Sequence, residues 1–171
     1  MGKIIIKKGD ITKEDVDVIV NAANTKLAGG GGVDGAIHRA AGSVVMKECR
    51  KIGGCKTGEA VITSSGNLVA RNIIHTPGPV WRGGARGETE LLRSSYDNSF
   101  ILAAKNNLKT IAFPSISTGV YGFPILEASR IAIEEGYKFI DTFDEIRYIC
   151  FSQIDLNVYL QTYGESADLQ P

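Results

Sequence analysis

Residues 29–35 read Gly-Gly-Gly-Gly-Val-Asp-Gly, a glycine run holding a single acidic side chain, Asp34. Four glycines open backbone shapes closed to other residues and let main-chain N–H groups come close to an anion. Ala36, Ile37, Ala40, Ala41, Val44 and Val45 then recur at helical spacing, which predicts a helix from about Asp34 to Cys49. Its first N–H groups and the positive end of its dipole would face the same anion. The match of residues 30–35 to Gly-x-Gly-x-x-Gly is weak inside a glycine run. An acidic partner about 20 residues later is missing, as is a Gly-Lys-Ser/Thr sequence. A loop kept flexible for structural reasons alone is the alternative.

A second loop of similar design lies at Ser115-Ile116-Ser117-Thr118-Gly119-Val120-Tyr121-Gly122, again after a strand and before a helix. Two such loops can grip opposite sides of a diphosphate through backbone donors without using lysine. Asp34 is the one carboxylate within either loop. Ionised, it is a hydrogen-bond acceptor and a weak base; its competing role is the N-cap of the following helix.

Elements that could hold these loops alternate along the chain. Ile4-Ile5-Ile6 reads as a first strand and Asp17-Val18-Ile19-Val20 as a central one, running directly into Asn21-Ala22-Ala23-Asn24. Strands are expected at Glu59–Thr63, Asn72–His75, Thr110–Phe113 and Glu145–Phe151. Helices are expected over Glu88–Asn106 and Pro124–Glu135, where Pro124 suits a first turn. Asn157–Tyr163 reads as a short last helix or irregular segment, and Gly164–Pro171 as a flexible tail. This alternation predicts one α/β domain over 1–171, with a mixed, mostly parallel sheet covered on both faces.

Composition limits the partners. Nineteen basic and nineteen acidic side chains cancel, and the chain has no long basic run, which counts against nucleic acid. No stretch approaches the roughly 20 apolar residues of a membrane span, and Ile4-Ile5-Ile6 is too short for a signal core; a soluble, cytoplasmic monomer is expected. Cys49, Cys55 and Cys150 are odd in number and lack close ligand spacing, so reduced thiols are expected. His38 and His75 read as ordinary packing or hydrogen-bonding residues, and neither a metal nor a cofactor is anticipated. Trp81 either covers a cleft or anchors its loop, and Arg82 and Arg86 read as solvated surface or as a contact for a protein substrate.

Gly9-Asp10-Ile11-Thr12, Asn21-Ala22-Ala23-Asn24, residues 29–41 (GGGGVDGAIHRAA), Thr57-Gly58-Glu59-Ala60, residues 74–79 (IHTPGP) and residues 112–124 (AFPSISTGVYGFP) together resemble the macrodomain family. The likeness runs from about Lys3 to Phe151 and is strongest to the branch of ADP-ribosyl hydrolases that also deacetylate O-acetyl-ADP-ribose. It implies a three-layer α/β/α fold with ADP-ribose in a cleft. On that resemblance Asp10 accepts from the adenine amino group beside the Ile11 backbone, and Phe151 packs on adenine. Asn24 fixes the distal ribose, and Tyr121 shapes its pocket. The backbones of Gly31, Gly32, Val33 and Asp34 and of Ser117, Thr118, Gly119, Val120 and Tyr121 cradle the diphosphate.

The residue chemistry agrees with these roles. An ionised Asp10 only accepts, as an exocyclic amine requires, and Asn24 can both donate to and accept from hydroxyls without adding charge. Asn24 and Asp34 are thus the catalytic candidates for hydrolysis of acyl-ADP-ribose or of ADP-ribose esterified to aspartate or glutamate. A non-catalytic ADP-ribose-binding module and an RNA- or nucleotide-interacting domain are the alternatives.

Overall fold

The computed structural model describes residues 1–167. Six strands form one sheet: β1 (Lys3–Lys8), β2 (Val18–Ala22), β3 (Val61–Ser64), β4 (Asn72–Thr76), β5 (Thr110–Phe113) and β6 (Glu145–Cys150). Their spatial order is β1-β6-β5-β2-β4-β3, parallel throughout except for β3, which runs antiparallel to β4. The helices are α1 (Gly32–Ala41), α2 (Ser43–Ile52), α3 (Glu88–Lys105), α4 (Ile125–Lys138) and α5 (Gln153–Ala167), with a 3-10 turn at Ile11–Lys13.

Because side chains alternate across a strand, each strand serves two cores. Val18, Val20, Ile74, Ile111 and Phe113 pack with α3, α4 and α5 around Tyr96, Phe100, Tyr148 and Tyr159. Ile19, Ile73, Ala112 and Ile149 point the other way, against Ile37 and Ala41 of α1 and Val45 and Cys49 of α2. The result is three layers, helices on both faces of a mostly parallel sheet, as the alternating pattern predicts.

Several boundaries differ from the sequence expectation. The long helix after the glycines starts earlier, at Gly32, and is broken into α1 and α2 at Gly42, whose φ of 87° leaves the helical region. Consequently Ile37, Ala41 and Val45 are buried while Val44 is exposed. Strand β2 extends through Asn21, so that residue lies inside the sheet rather than beyond its end. The last helix is longer than expected: α5 spans fifteen residues and drives Tyr159 into the core at 1% exposure. Gly164 to Ala167 is therefore helical, and the remainder of the expected tail, 168–171, lies outside the described residues.

Candidate functional site

All the parallel strands end at one edge of the sheet, where open α/β sheets carry ligands. Along that edge stand, in spatial order, Asp10 after β1, Phe151 after β6, the Ser115–Gly122 loop after β5 and the Asn24-to-Asp34 segment after β2. Strand order alone thus brings the sequence-predicted residues into one row.

The first two sit side by side, since the Gly9 N–H donates to Cys150 O at 3.0 Å. Asp10 Oδ1 accepts from the Thr12 hydroxyl at 2.7 Å and from Thr12 N at 3.0 Å, capping the 3-10 turn. The Thr12 hydroxyl bond holds the Asp10 carboxyl below its ordinary pKa. Ile11 is buried, whereas Phe151 is 91% exposed. Phe151 therefore takes no part in the core and stands open at the edge where the parallel strands end.

Gly31 caps α1, and the first helical bond runs from Gly35 N to Gly31 O at 3.1 Å. The N–H groups of Gly32, Val33 and Asp34 consequently have no intrahelical acceptor and form a donor cluster at the positive helix end. Gly35 must be glycine for this to happen, since a Cβ there would overlap Gly30 O. Asp34 is the third residue of α1 and makes no capping bond, so the N-cap role falls to Gly31. Its carboxylate is instead turned inward at 7% exposure. Oδ1 accepts from Asn21 Nδ2 at 2.8 Å and faces His38 Nε2 at 3.3 Å. A Cβ placed on Gly30 would lie 3.5 Å from Asp34 Oδ2 and 4.0 Å from Asn24 Nδ2, so both catalytic candidates approach the same glycine. The Asn24 amide is itself occupied: Nδ2 donates to Gly29 O at 2.8 Å and Oδ1 accepts from Ala28 N at 3.1 Å. It braces the turn leading into the glycines.

The second loop closes on itself through Gly122 N to Gly119 O and Phe123 N to Ser117 O. Among the described residues no protein acceptor meets the N–H groups of Thr118, Gly119, Val120 or Tyr121. Ser117 holds a φ of 66°, a costly conformation for a non-glycine residue and one that surrounding structure must impose. Thr118 Oγ1 turns inward to Ser115, and Val120 stands fully exposed. Gly78 permits the close approach, because a Cβ there would overlap Ser117 Oγ.

Trp81 anchors its loop. Its backbone N–H donates to Tyr121 O at 2.8 Å, and its ring packs on Phe123 at 4.8 Å between centroids. Beyond it the Glu88 carboxylate, buried at 2% exposure, accepts from the backbone N–H groups of Arg82, Gly84 and Arg86 at 3.1, 2.7 and 2.6 Å. That staple sets the shape of the 82–87 loop next to the Ser115–Gly122 loop. The side chains of Arg82 and Arg86 remain exposed.

Beneath Asp34 the structure gathers residues that sequence spacing does not connect. Register places Asn21 of β2 opposite His75 of β4, on the face covered by α1 and α2. One ligand atom from each of His38, Cys49 and His75 lies within 4.8 Å of the others. The set suits a metal poorly. Both His75 nitrogens already face partners, Asn21 Nδ2 at 3.1 Å and Thr63 Oγ1 at 2.9 Å. Burial, followed by the charges of Asp34 and Glu48, pushes the Cys49 thiol up to about 11. All three cysteines are free and buried.

Residues 20–132 match the family model described as Macro domain. The chain belongs to the macrodomain family. A macro domain-containing protein of Chlorobaculum tepidum is 55% identical, over 89% of this chain and 90% of its own. The O-acetyl-ADP-ribose deacetylase of Escherichia coli is 46% identical, over 97% and 98%. Among solved structures, a variant of the Oceanobacillus iheyensis macrodomain with ADPR superposes with a TM-score of 0.91 at 43% identity, over 95% of this chain and 92% of that one. The Trypanosoma brucei macrodomain in complex with ADP-ribose gives 0.87 at 43%, over 92% and 68%. In this macrodomain, no helix among the described residues is long and apolar enough to cross a membrane.

Proposed function

We propose that this macrodomain hydrolyses esters of ADP-ribose, removing acetyl from O-acetyl-ADP-ribose and mono-ADP-ribose from aspartate and glutamate side chains. The observation that carries the reading is the Asp34 carboxylate, held inward beside Gly30 between the α1 donor cluster and Asn24. A pure anion cradle has no use for an acidic group at its centre, whereas hydrolysis needs an acceptor that orients water.

In this reading Asp10 and Phe151 receive the adenine, and the N–H groups of Gly31 to Asp34 and Thr118 to Tyr121 take the diphosphate. The bent diphosphate sets the distal ribose against Tyr121 and Asn24. A water placed by Asp34 adds to the acyl carbonyl, and its proton passes to Asp34 or to a phosphate oxygen. The acyl C–O bond then breaks, and the ribose oxygen leaves with a proton. Likeness to relatives named as O-acetyl-ADP-ribose deacetylases supports this substrate class.

One observation favours the binding-only alternative: the Asn24 amide is committed at both ends to its own loop, so it would have to exchange a partner to orient a sugar. Release of ADP-ribose from a glutamate-linked protein, and of acetate from O-acetyl-ADP-ribose, separates the two. Turnover by the wild type that drops about 100-fold in Asp34→Ala, with ADP-ribose still bound, is the expected result. Tight binding without turnover would make the protein a reader. Serine-linked ADP-ribose, an acetal with a poorer leaving group than a carboxylate, should be turned over weakly or not at all.

A further inference from the structure

We infer that Asn21, His75 and Thr63 form a proton-ordered chain that positions Asp34 for the reaction proposed above, on which this assignment rests. The direction of every bond follows from one end. The Thr63 hydroxyl has one hydrogen, and it goes to Ser64 O at 2.8 Å. Its 2.9 Å contact with His75 Nε2 therefore has the histidine as donor. Nε2 thus carries the imidazole hydrogen, and Nδ1 presents a lone pair. That lone pair accepts from Asn21 Nδ2 at 3.1 Å, and the second hydrogen of the same amide nitrogen goes to Asp34 Oδ1 at 2.8 Å.

Four side chains on three strands and a helix are then locked in one sense. Asn21 cannot flip without presenting its oxygen to both the Asp34 carboxylate and the His75 lone pair. Asn21, His75 and Thr63 are all buried, at 0%, 0% and 4% exposure, so water does not compete for these bonds. Among the described residues the arrangement also leaves Asn21 Oδ1 buried without a protein partner. A purely structural network gains nothing from that orphan. It follows directly if the amide nitrogen must serve both Asp34 and His75. With Oδ1 tied down, Asp34 Oδ2 is the oxygen left toward Gly30. Asn21, His75 and Thr63 are positioning residues, acting through the carboxylate and not on the substrate.

The test uses O-acetyl-ADP-ribose, with binding of ADP-ribose measured in parallel. His75→Leu should lower kcat about tenfold and leave ADP-ribose affinity within about twofold. His75→Asn, which returns an acceptor close to the place of Nδ1, should recover most of kcat. Thr63→Val, a near-isosteric change that keeps the fold within reach should His75→Leu not fold, should lower kcat about threefold at unchanged KM. Independently of turnover, nitrogen-15 spectra of the imidazole should show His75 as the Nε2–H tautomer in the wild type and a mixed population in Thr63→Val. Equal kcat in the Leu and Asn variants, affinity falling in step with kcat, an unaltered Thr63→Val enzyme, or an Nδ1–H tautomer would overturn the assignment. A wild type that binds ADP-ribose but cleaves no ester instead sinks the hydrolase reading, and the positioning role with it.

Discussion

The two faces of the sheet are built from different materials. Against α3, α4 and α5 lies an aromatic core in which Phe100 sits within 5.4 Å of Phe113, Phe139 and Phe143, and Tyr148 packs on Phe113 and Tyr159. Against α1 and α2 the packing is aliphatic, and the strand ends carry Asn21, Thr63 and His75 under Asp34. Dispersion and apolar burial hold the first face, with no direction required of any single bond. The second buries polar groups whose hydrogen bonds run from Thr63 through His75 and Asn21 to the Asp34 carboxylate. Aromatic packing and buried polar contacts are thus divided between opposite sides of the same strands.

Breaking the aromatic face should cost the most. Phe100→Ala removes a fully buried ring from three aromatic neighbours and should destabilise the fold by about 3–5 kcal/mol in denaturant melts. A loss below about 1 kcal/mol would mean that the two faces share the load evenly.

Acid should strike the polar face next. Burial, and then the like charge of nearby His38, push His75 from 6.5 down to about 4. Below pH 6.5 the unfolded chain binds a proton that the folded one refuses. The stabilisation is therefore complete above that pH and drains as pH falls toward 4, by on the order of 3 kcal/mol in all. Unfolding midpoints followed from pH 7 to 4.5 should track that decline, and a flat profile would show that His75 titrates normally.

Function should fail separately from stability. Asp34→Ala should cut ester turnover about 100-fold, equivalent to roughly 2.7 kcal/mol of barrier, while ADP-ribose still binds. Phe151→Ala is the mildest. Because the ring touches so little protein, thermal stability should hold within about 0.5 kcal/mol while ADP-ribose binding weakens by about 1 kcal/mol, the value of one base stacked on an aromatic ring. Unchanged affinity by calorimetry would remove adenine from that end of the cleft.

Local signals proved readable and non-local ones did not. Thr110–Phe113 is a strand at the predicted residues because four apolar, strand-forming positions lie between turn signals. The donor cluster at Gly32 to Asp34 was legible from glycine content followed by helical spacing. The break at Gly42 was not, since one glycine within an apolar period is compatible with a continuous helix. Tyr159 and Thr162, three apart and both buried in α5, were a helical signal diluted by Asp155, Asn157 and Gln161. The chain from Thr63 through His75 and Asn21 to Asp34 left no trace in spacing at all. It exists only through strand pairing, and a register displaced by one residue would send His75 to the aromatic side.

The Glu88 staple binds its loop through backbone N–H groups alone. It therefore dictates a path and leaves most of the lettering open. Gly84 is fixed by its φ of 88° and by the indole of Trp81 lying 2.7 Å from where a Cβ would stand, and proline is barred at 82 and 86 because its nitrogen has nothing to donate. Otherwise the side chains at 82, 85 and 86 can be exchanged without redrawing the loop. The rim beside the Ser115–Gly122 loop is in effect a socket, whose side chains can change while Trp81 keeps Tyr121 in place.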